Sequence, residues 1–288
     1  MAVQPTPGAR QNTVETEWLA ANLNAPDIVV VDGSWYLPAH GRDPNAEYRT
    51  RRIPGAVRFD IDVIVDTTSG LPHTLPGAAQ FASAMRKLGI GDGQRVVVYD
   101  GIGLFSAPRV WWALRTMGAT DVVVLNGGFP KWEAEGHPID DMPPLNRQPR
   151  HFSARRDNTV IRTKTDVANA LDDDTTLVLD ARPADRFAGT APEPRPGVRA
   201  GHMPGSLNIP FDLLVTQDGC LKHADELRAI FTAAGWVPGT PVITSCGSGV
   251  TAALLTLALA QMGETDNGLY DGSWAEWGAD HDLPVVSG

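Results

Sequence analysis

The residue best placed to do chemistry is Cys246, in the run Ser245-Cys246-Gly247-Ser248-Gly249-Val250-Thr251-Ala252. A β-branched run near 241–245 leads into it and an apolar stretch, Thr251 to Met262, leads out. That order predicts strand, tight loop, helix. Gly247 and Gly249 let the backbone curl, with positive φ where needed. The N–H groups of Gly247, Ser248, Gly249, Val250 and Thr251 can then turn toward one sulfur atom, and the helix N-terminus adds to their field. A thiol in such a cradle is expected to ionise near neutral pH, and the thiolate is the nucleophilic form. A persulfide anion gains from the same donors. The blander account is a cysteine that merely ends a core strand, since free cysteine is among the most buried residue types. Two glycines and a following helix favour chemistry over that account.

Phosphate chemistry fits poorly. Cysteine phosphatases carry an arginine six positions after the nucleophile, and here that position is Ala252. With no cation anywhere in the loop, a phosphate dianion would lack a bidentate clamp. A phosphatase or arsenate reductase is therefore disfavoured.

The elements that must hold this loop appear twice. Val30-Val31-Asp32 answers Val178-Leu179-Asp180, and Ile53-Pro54-Gly55-Ala56 answers Met203-Pro204-Gly205-Ser206. Val96 to Asp100 answers Val242 to Cys246, and Leu125-Asn126-Gly127-Gly128 answers Leu269-Tyr270-Asp271-Gly272. Four landmarks in one order indicate a tandem duplication. Short β-branched runs near 28–32, 95–99 and 121–125, then 176–180, 241–245 and 267–270, suit strands buried on both faces. Amphipathic segments such as 78–89 and 224–234 lie between them. The alternation predicts two α/β domains, each a mostly parallel sheet flanked by helices. They are expected over 12–136 and 158–288, with the Pro-rich stretch 137–157 as the linker.

The 288 residues suit two domains. The net charge of -10 argues against nucleic acid or an anionic membrane as the main partner. The longest apolar stretch is about 12 residues where a membrane span needs about 20. The first twelve residues are polar, with Pro5 and Pro7, and lack the apolar run of a secretory signal. Two cysteines, Cys220 and Cys246, fit a reducing compartment, so a cytoplasmic protein is expected. No Cys/His cluster supports a metal site, and no glycine-rich pattern supports a nucleotide. Cys220 lies in the polar turn Gln217-Asp218-Gly219-Cys220. Trp111, Trp112, Trp274 and Trp277 read as core or domain-interface packing.

The duplication, Ile-Pro-Gly-Ala at 53–56, His-Met-Pro-Gly-Ser at 202–206 and Cys-Gly-Ser-Gly-Val-Thr-Ala at 246–252 together resemble the tandem-domain rhodaneses, from about Asn12 to Pro284. Within that family the loop is similar to those of members that use 3-mercaptopyruvate. Thiosulfate-using members carry basic residues where this chain has Gly247 and Ser248. Arg52 stands where the family commonly has His before Ile-Pro-Gly, a departure expected to be neutral. The resemblance implies a catalytic second domain and a non-catalytic first domain, with Asp100 in the cysteine's place. By itself Asp100 reads as a polar residue at a strand end.

The resemblance also implies roles. Arg186 and Arg195 would hold the substrate's carboxylate and carbonyl, which suits the bidentate geometry of arginine. Arg182 and Arg199 read as ordinary solvated arginines. Asp62 and His73, unremarkable loop residues by themselves, would form a proton relay with Ser248 on the logic of a triad. Sulfur would pass from 3-mercaptopyruvate to Cys246, then to cyanide or a thiol acceptor such as thioredoxin, with no metal or organic cofactor. Two other readings stand beside this one: a thiosulfate:cyanide sulfurtransferase on the same cysteine, and a sulfur- or partner-binding module without turnover.

Overall fold

The computed structural model describes residues 12–144, 146–173 and 175–288. The polar N-terminal stretch with Pro5 and Pro7 lies outside the described residues. The first half forms five strands: β1 (Thr13–Val14), β2 (Ile28–Asp32), β3 (Val57–Arg58), β4 (Arg95–Tyr99) and β5 (Val122–Leu125). The second forms β6 (Ile161–Arg162), β7 (Leu177–Asp180), β8 (Leu207–Asn208), β9 (Val242–Ser245) and β10 (Asn267–Tyr270). Each half makes its own five-stranded sheet, ordered β1-β5-β4-β2-β3 and β6-β10-β9-β7-β8. Every pairing within them is parallel. The second order is the first repeated strand for strand, so the duplication holds at the level of topology.

The longer strands fall where the β-branched runs predict them. The four two-residue strands stand at the sheet edges, where so few residues carry no readable periodicity. The amphipathic segments form the helices Ala78–Leu88 and Ala224–Ala233. Among the described residues no helix is long and apolar enough to cross a membrane.

The helix Ala252–Gln261 is apolar on all sides, and Ala252 through Leu259 are buried. A helix of that kind belongs inside a core. It packs against the helix Ala107–Thr116 of the first domain. One apolar cluster consequently runs from Val98 and Trp112 in one half to Leu254 and Leu257 in the other. Each buried leucine there contributes about 1.5–3 kcal/mol, so the two domains meet as one core. The four tryptophans read as packing residues are all buried.

The Pro-rich segment 137–157 is laid along the first domain. Asp140 pairs with Arg52 in an antiparallel bridge, Phe152 is buried, and the Asp92 N–H donates to the His151 carbonyl at 2.9 Å. Arg52 is 1% exposed and donates to Asp140 Oδ2 at 2.7 Å, the Tyr48 carbonyl at 3.1 Å and the Met142 carbonyl at 2.6 Å. It is therefore the pin of this strap rather than an indifferent substitution.

Candidate active site

β4 and β9 are the middle strands of their sheets, and each ends at a tight loop opening a helix. Cys246 is the first residue after β9 and is 2% exposed. The turn after β10 fixes its backbone. The Cys246 N–H donates to Ser273 Oγ at 3.3 Å, and its carbonyl accepts from the Trp274 N–H at 2.9 Å. Gly249 has φ 77°, and a Cβ there would lie 3.0 Å from Arg109 Nη1 and 3.3 Å from the Asp271 carbonyl. The loop can close only with glycine at that point. Among the described residues, no oxygen accepts from the N–H groups of Gly247, Ser248, Gly249, Val250 or Thr251. Five successive donors are thus open at the mouth of a helix.

Two residues after the cysteine, a polar chain crosses the domain boundary. Ser248 Oγ lies 2.9 Å from His73 Nδ1, and His73 Nε2 lies 2.9 Å from Asp62 Oδ1. Trp35 Nε1 donates to the other Asp62 oxygen at 3.0 Å, and its ring meets His73 edge-on. The hydrogen bond from His73 holds the Asp62 carboxyl below its usual range, while burial pushes the His73 imidazole below its own ordinary value. Asp62 is then a carboxylate and can only accept, so the neutral imidazole carries its proton on Nε2. Nδ1 is left to accept from the Ser248 hydroxyl. A hydroxyl backed this way can take and return a proton beside the sulfur.

A cavity of about 60 Å³ opens over Cys246, bounded by Trp35, Phe105, Arg186, Arg195, Phe211 and Ser248. A larger cavity of about 370 Å³ lies against Trp111 and Trp112, but Cys246 does not line it. Arg186 is held by Glu193, which takes both its Nη2 and, at 3.3 Å, its Nε. Arg195 has no hydrogen-bonding partner among the described residues. Burial pushes its guanidinium below the ordinary value, against the pull of Cys246, Glu193 and Asp62. An unpaired, half-buried cation beside a thiol and a hydroxyl is a place for an anionic substrate.

Of the residues singled out from the sequence, Arg186, Arg195, Cys246, Gly247, Ser248, Val250 and Thr251 line this cavity, His73 and Asp62 reach it through Ser248, and Gly249 packs against Arg109 and Asp271 instead. Arg182 and Arg199 are not the solvated arginines expected. Arg182 is 1% exposed and bonds Asp180 at 2.9 Å, Glu193 at 2.8 Å and the Gly201 carbonyl at 2.8 Å, stacked over Trp274. Arg199 donates to the backbone carbonyls of Trp277, Gly278, Asp280 and Leu283. Both were misread because their partners are carbonyls and carboxylates brought in by folding. Glu193, which holds two arginines with a side chain 4% exposed, was passed over within its own loop. Asp100 is also more than a strand-end residue. Its Oδ1 accepts from the N–H groups of Ile102 and Gly103, and its Oδ2 from those of Phe105, Ser106 and Ala107, all at 2.7–2.9 Å.

A model of the rhodanese-like domain matches residues 15–135 and again 163–280. The chain belongs to the rhodanese family. It is 44% identical over 273 residues to the 3-mercaptopyruvate sulfurtransferase of Escherichia coli K12, covering 94% of this chain and 96% of that one. It is 40% identical over 294 residues to thiosulfate/3-mercaptopyruvate sulfurtransferase 1, mitochondrial, of Arabidopsis thaliana, covering 95% and 78%. The crystal structure of SseA, an Escherichia coli 3-mercaptopyruvate sulfotransferase, superposes with a TM-score of 0.85 at 41% identity over 92% of this chain and 99% of that one. The two parallel sheets are thus the paired domains of a tandem rhodanese.

Proposed function

We propose that this chain is a sulfurtransferase that takes sulfur from 3-mercaptopyruvate as a persulfide on Cys246 and passes it to a thiol or to cyanide. The observation that carries the donor choice is the chain Asp62–His73–Ser248 beside the cysteine. When the Cys246 thiolate attacks the sulfur of 3-mercaptopyruvate, the carbon–sulfur bond breaks and its electron pair leaves as the pyruvate enolate. The S–H proton must reach that carbon, leaving pyruvate and a persulfide anion. Ser248, backed by His73 and Asp62, moves that proton. Thiosulfate leaves as sulfite, which needs no proton, so a relay would be idle with it.

Arg195, unpaired, takes the substrate carboxylate, and Arg186 reaches the carbonyl while Glu193 orients it. The open N–H groups of 247–251 hold the persulfide anion until an acceptor arrives. Acceptors are small thiols or a protein thiol such as that of thioredoxin. The first domain supplies Asp62 and His73 but no nucleophile. Both cysteines are free thiols, which suits a reducing, cytoplasmic setting.

The test is kcat/KM with each donor. A preference for 3-mercaptopyruvate of at least about tenfold, some 1.4 kcal/mol in transition-state binding, is expected. A tenfold preference for thiosulfate would reverse the assignment. Mass spectrometry after donor exposure should show Cys246 about 32 Da heavier, as a persulfide is, and thiol should remove the addition. An addition that survives many equivalents of acceptor would mark a sulfur-binding module instead.

A further inference from the structure

Arg109, third residue of the helix Ala107–Thr116, lies where the two domains meet and is 2% exposed. Its guanidinium stacks over the Trp112 ring at 4.5 Å. Nη2 donates to Asp271 Oδ1 of the second domain at 2.5 Å and to the carbonyl of His73. Nη1 donates to the Gly249 carbonyl at 3.4 Å. The other Asp271 oxygen accepts from the Leu75 N–H at 2.8 Å, two residues after His73. One buried ion pair thus grips the segment carrying His73 and the loop carrying Ser248.

His73 needs such a grip. Its φ is 63°, a conformation costly for a residue with a Cβ and maintained only where surroundings impose it. Asp271 opens the turn whose Ser273 holds the Cys246 N–H. A buried pair kept only for stability could be replaced by apolar packing at little loss. This one instead takes the carbonyl of His73 itself and that of Gly249, the residue that follows Ser248.

We propose that Arg109 and Asp271 are positioning residues, a clamp across the domain boundary that holds His73 Nδ1 on Ser248 Oγ. This rests on reading Asp62–His73–Ser248 as a proton relay. The clamp matters where the relay matters, namely in breaking a carbon–sulfur bond. Persulfide formation from thiosulfate transfers the outer sulfur to the Cys246 thiolate and releases sulfite, with no proton moved. It should be largely indifferent to the clamp.

The experiment measures single-turnover persulfide formation with both donors on the full chain, in the parent, Ser248→Ala, Arg109→Met and Asp271→Asn. Circular dichroism reports on folding. Arg109→Met should slow the 3-mercaptopyruvate step about tenfold to a hundredfold, the scale of an ångström-sized misplacement. The thiosulfate step should change by less than about threefold on the same scale. Asp271→Asn should show the same selectivity, and it decides the question if Arg109→Met does not fold. Equal losses with both donors, or no loss, while Ser248→Ala remains donor-selective, would overturn the clamp and leave the relay standing. A Ser248→Ala variant without donor selectivity would remove the relay and the clamp's role with it.

Discussion

Two loops of one ancestry have opposite electrostatic fates. After β4, Asp100 folds back so that its carboxylate takes five N–H groups of its own loop. After β9, Cys246 stands at the same place in the topology, and among the described residues the N–H groups of 247–251 have no oxygen to bond. The first loop carries its own anion and is closed to any other. The second keeps its donors free, and a sulfur that gains an anionic outer atom can use them. The difference teaches that the fold builds an anion site by default, since converging amides come with strand, tight loop and helix. The residue at the strand end decides whether that site is filled or working.

The sharpest way to break this comparison is to give the second loop the first loop's residue. Cys246→Asp should abolish sulfur transfer from either donor and leave no persulfide mass. It should nonetheless be more stable than Cys246→Ala, by on the order of 1–3 kcal/mol, because a carboxylate gains charge-assisted hydrogen bonds. The gain should stay below that of Asp100 at its own site. The first loop has one residue more, Ala107 being the seventh after Asp100 and Ala252 the sixth after Cys246. Thermal unfolding of the two variants checks it, and an aspartate variant no more stable than the alanine one would show that the free amides do not converge.

The converse substitution has the next largest effect, on stability. Asp100→Ala leaves five N–H groups without their acceptor, four of them buried, and should cost roughly 3 kcal/mol, since hydrogen bonds to charged groups are worth about 1.5–3 kcal/mol each but do not add. For domains of this size that is a fall of about 6–12 °C in the melting temperature. Asp100→Asn should be no better. One amide oxygen can serve Ile102 and Gly103, but its NH2 then faces three further donors. Persulfide formation per folded molecule should be unchanged in both. A neutral Asp100→Ala would mean the five bonds are incidental.

What could be read from the sequence divides along the same line. The Cys246 loop was legible because its signal is local: glycines, strand and helix adjoin. The longer strands were legible from β-branched runs. Asp62 and His73 were legible only through a family resemblance, because His73 lies 175 residues from Ser248 and reaches it only across a domain boundary. Arg182 was misread because Glu193, eleven residues on, becomes its partner through the fold of an irregular loop. Asp100 was underread for a subtler reason. Its donors follow it closely in sequence, but their convergence on one carboxylate depends on backbone angles that no residue type announces.

The smallest expected effect tests what the open loop prefers to hold. Gly247 lies close to Arg186, one of the two arginines proposed to bind the donor: a Cβ there would come 3.1 Å from Arg186 Nη2. That atom is the far end of a flexible side chain and can give by a few tenths of an ångström. Gly247→Arg alone therefore keeps the relay and the five amides while adding a cation at the cavity. Thiosulfate, a dianion, should gain relative to 3-mercaptopyruvate by about tenfold in the ratio of kcat/KM, or 1.4 kcal/mol. The gain should shrink as salt is raised, because the added charge sits at a partly open cleft. Adding Ser248→Lys should move the ratio further by a different route, since the hydroxyl of the relay is lost and only the proton-requiring donor suffers. If Gly247→Arg left the ratio unchanged while the double variant shifted it, the loop's selectivity would lie in the proton path and not in its lack of charge.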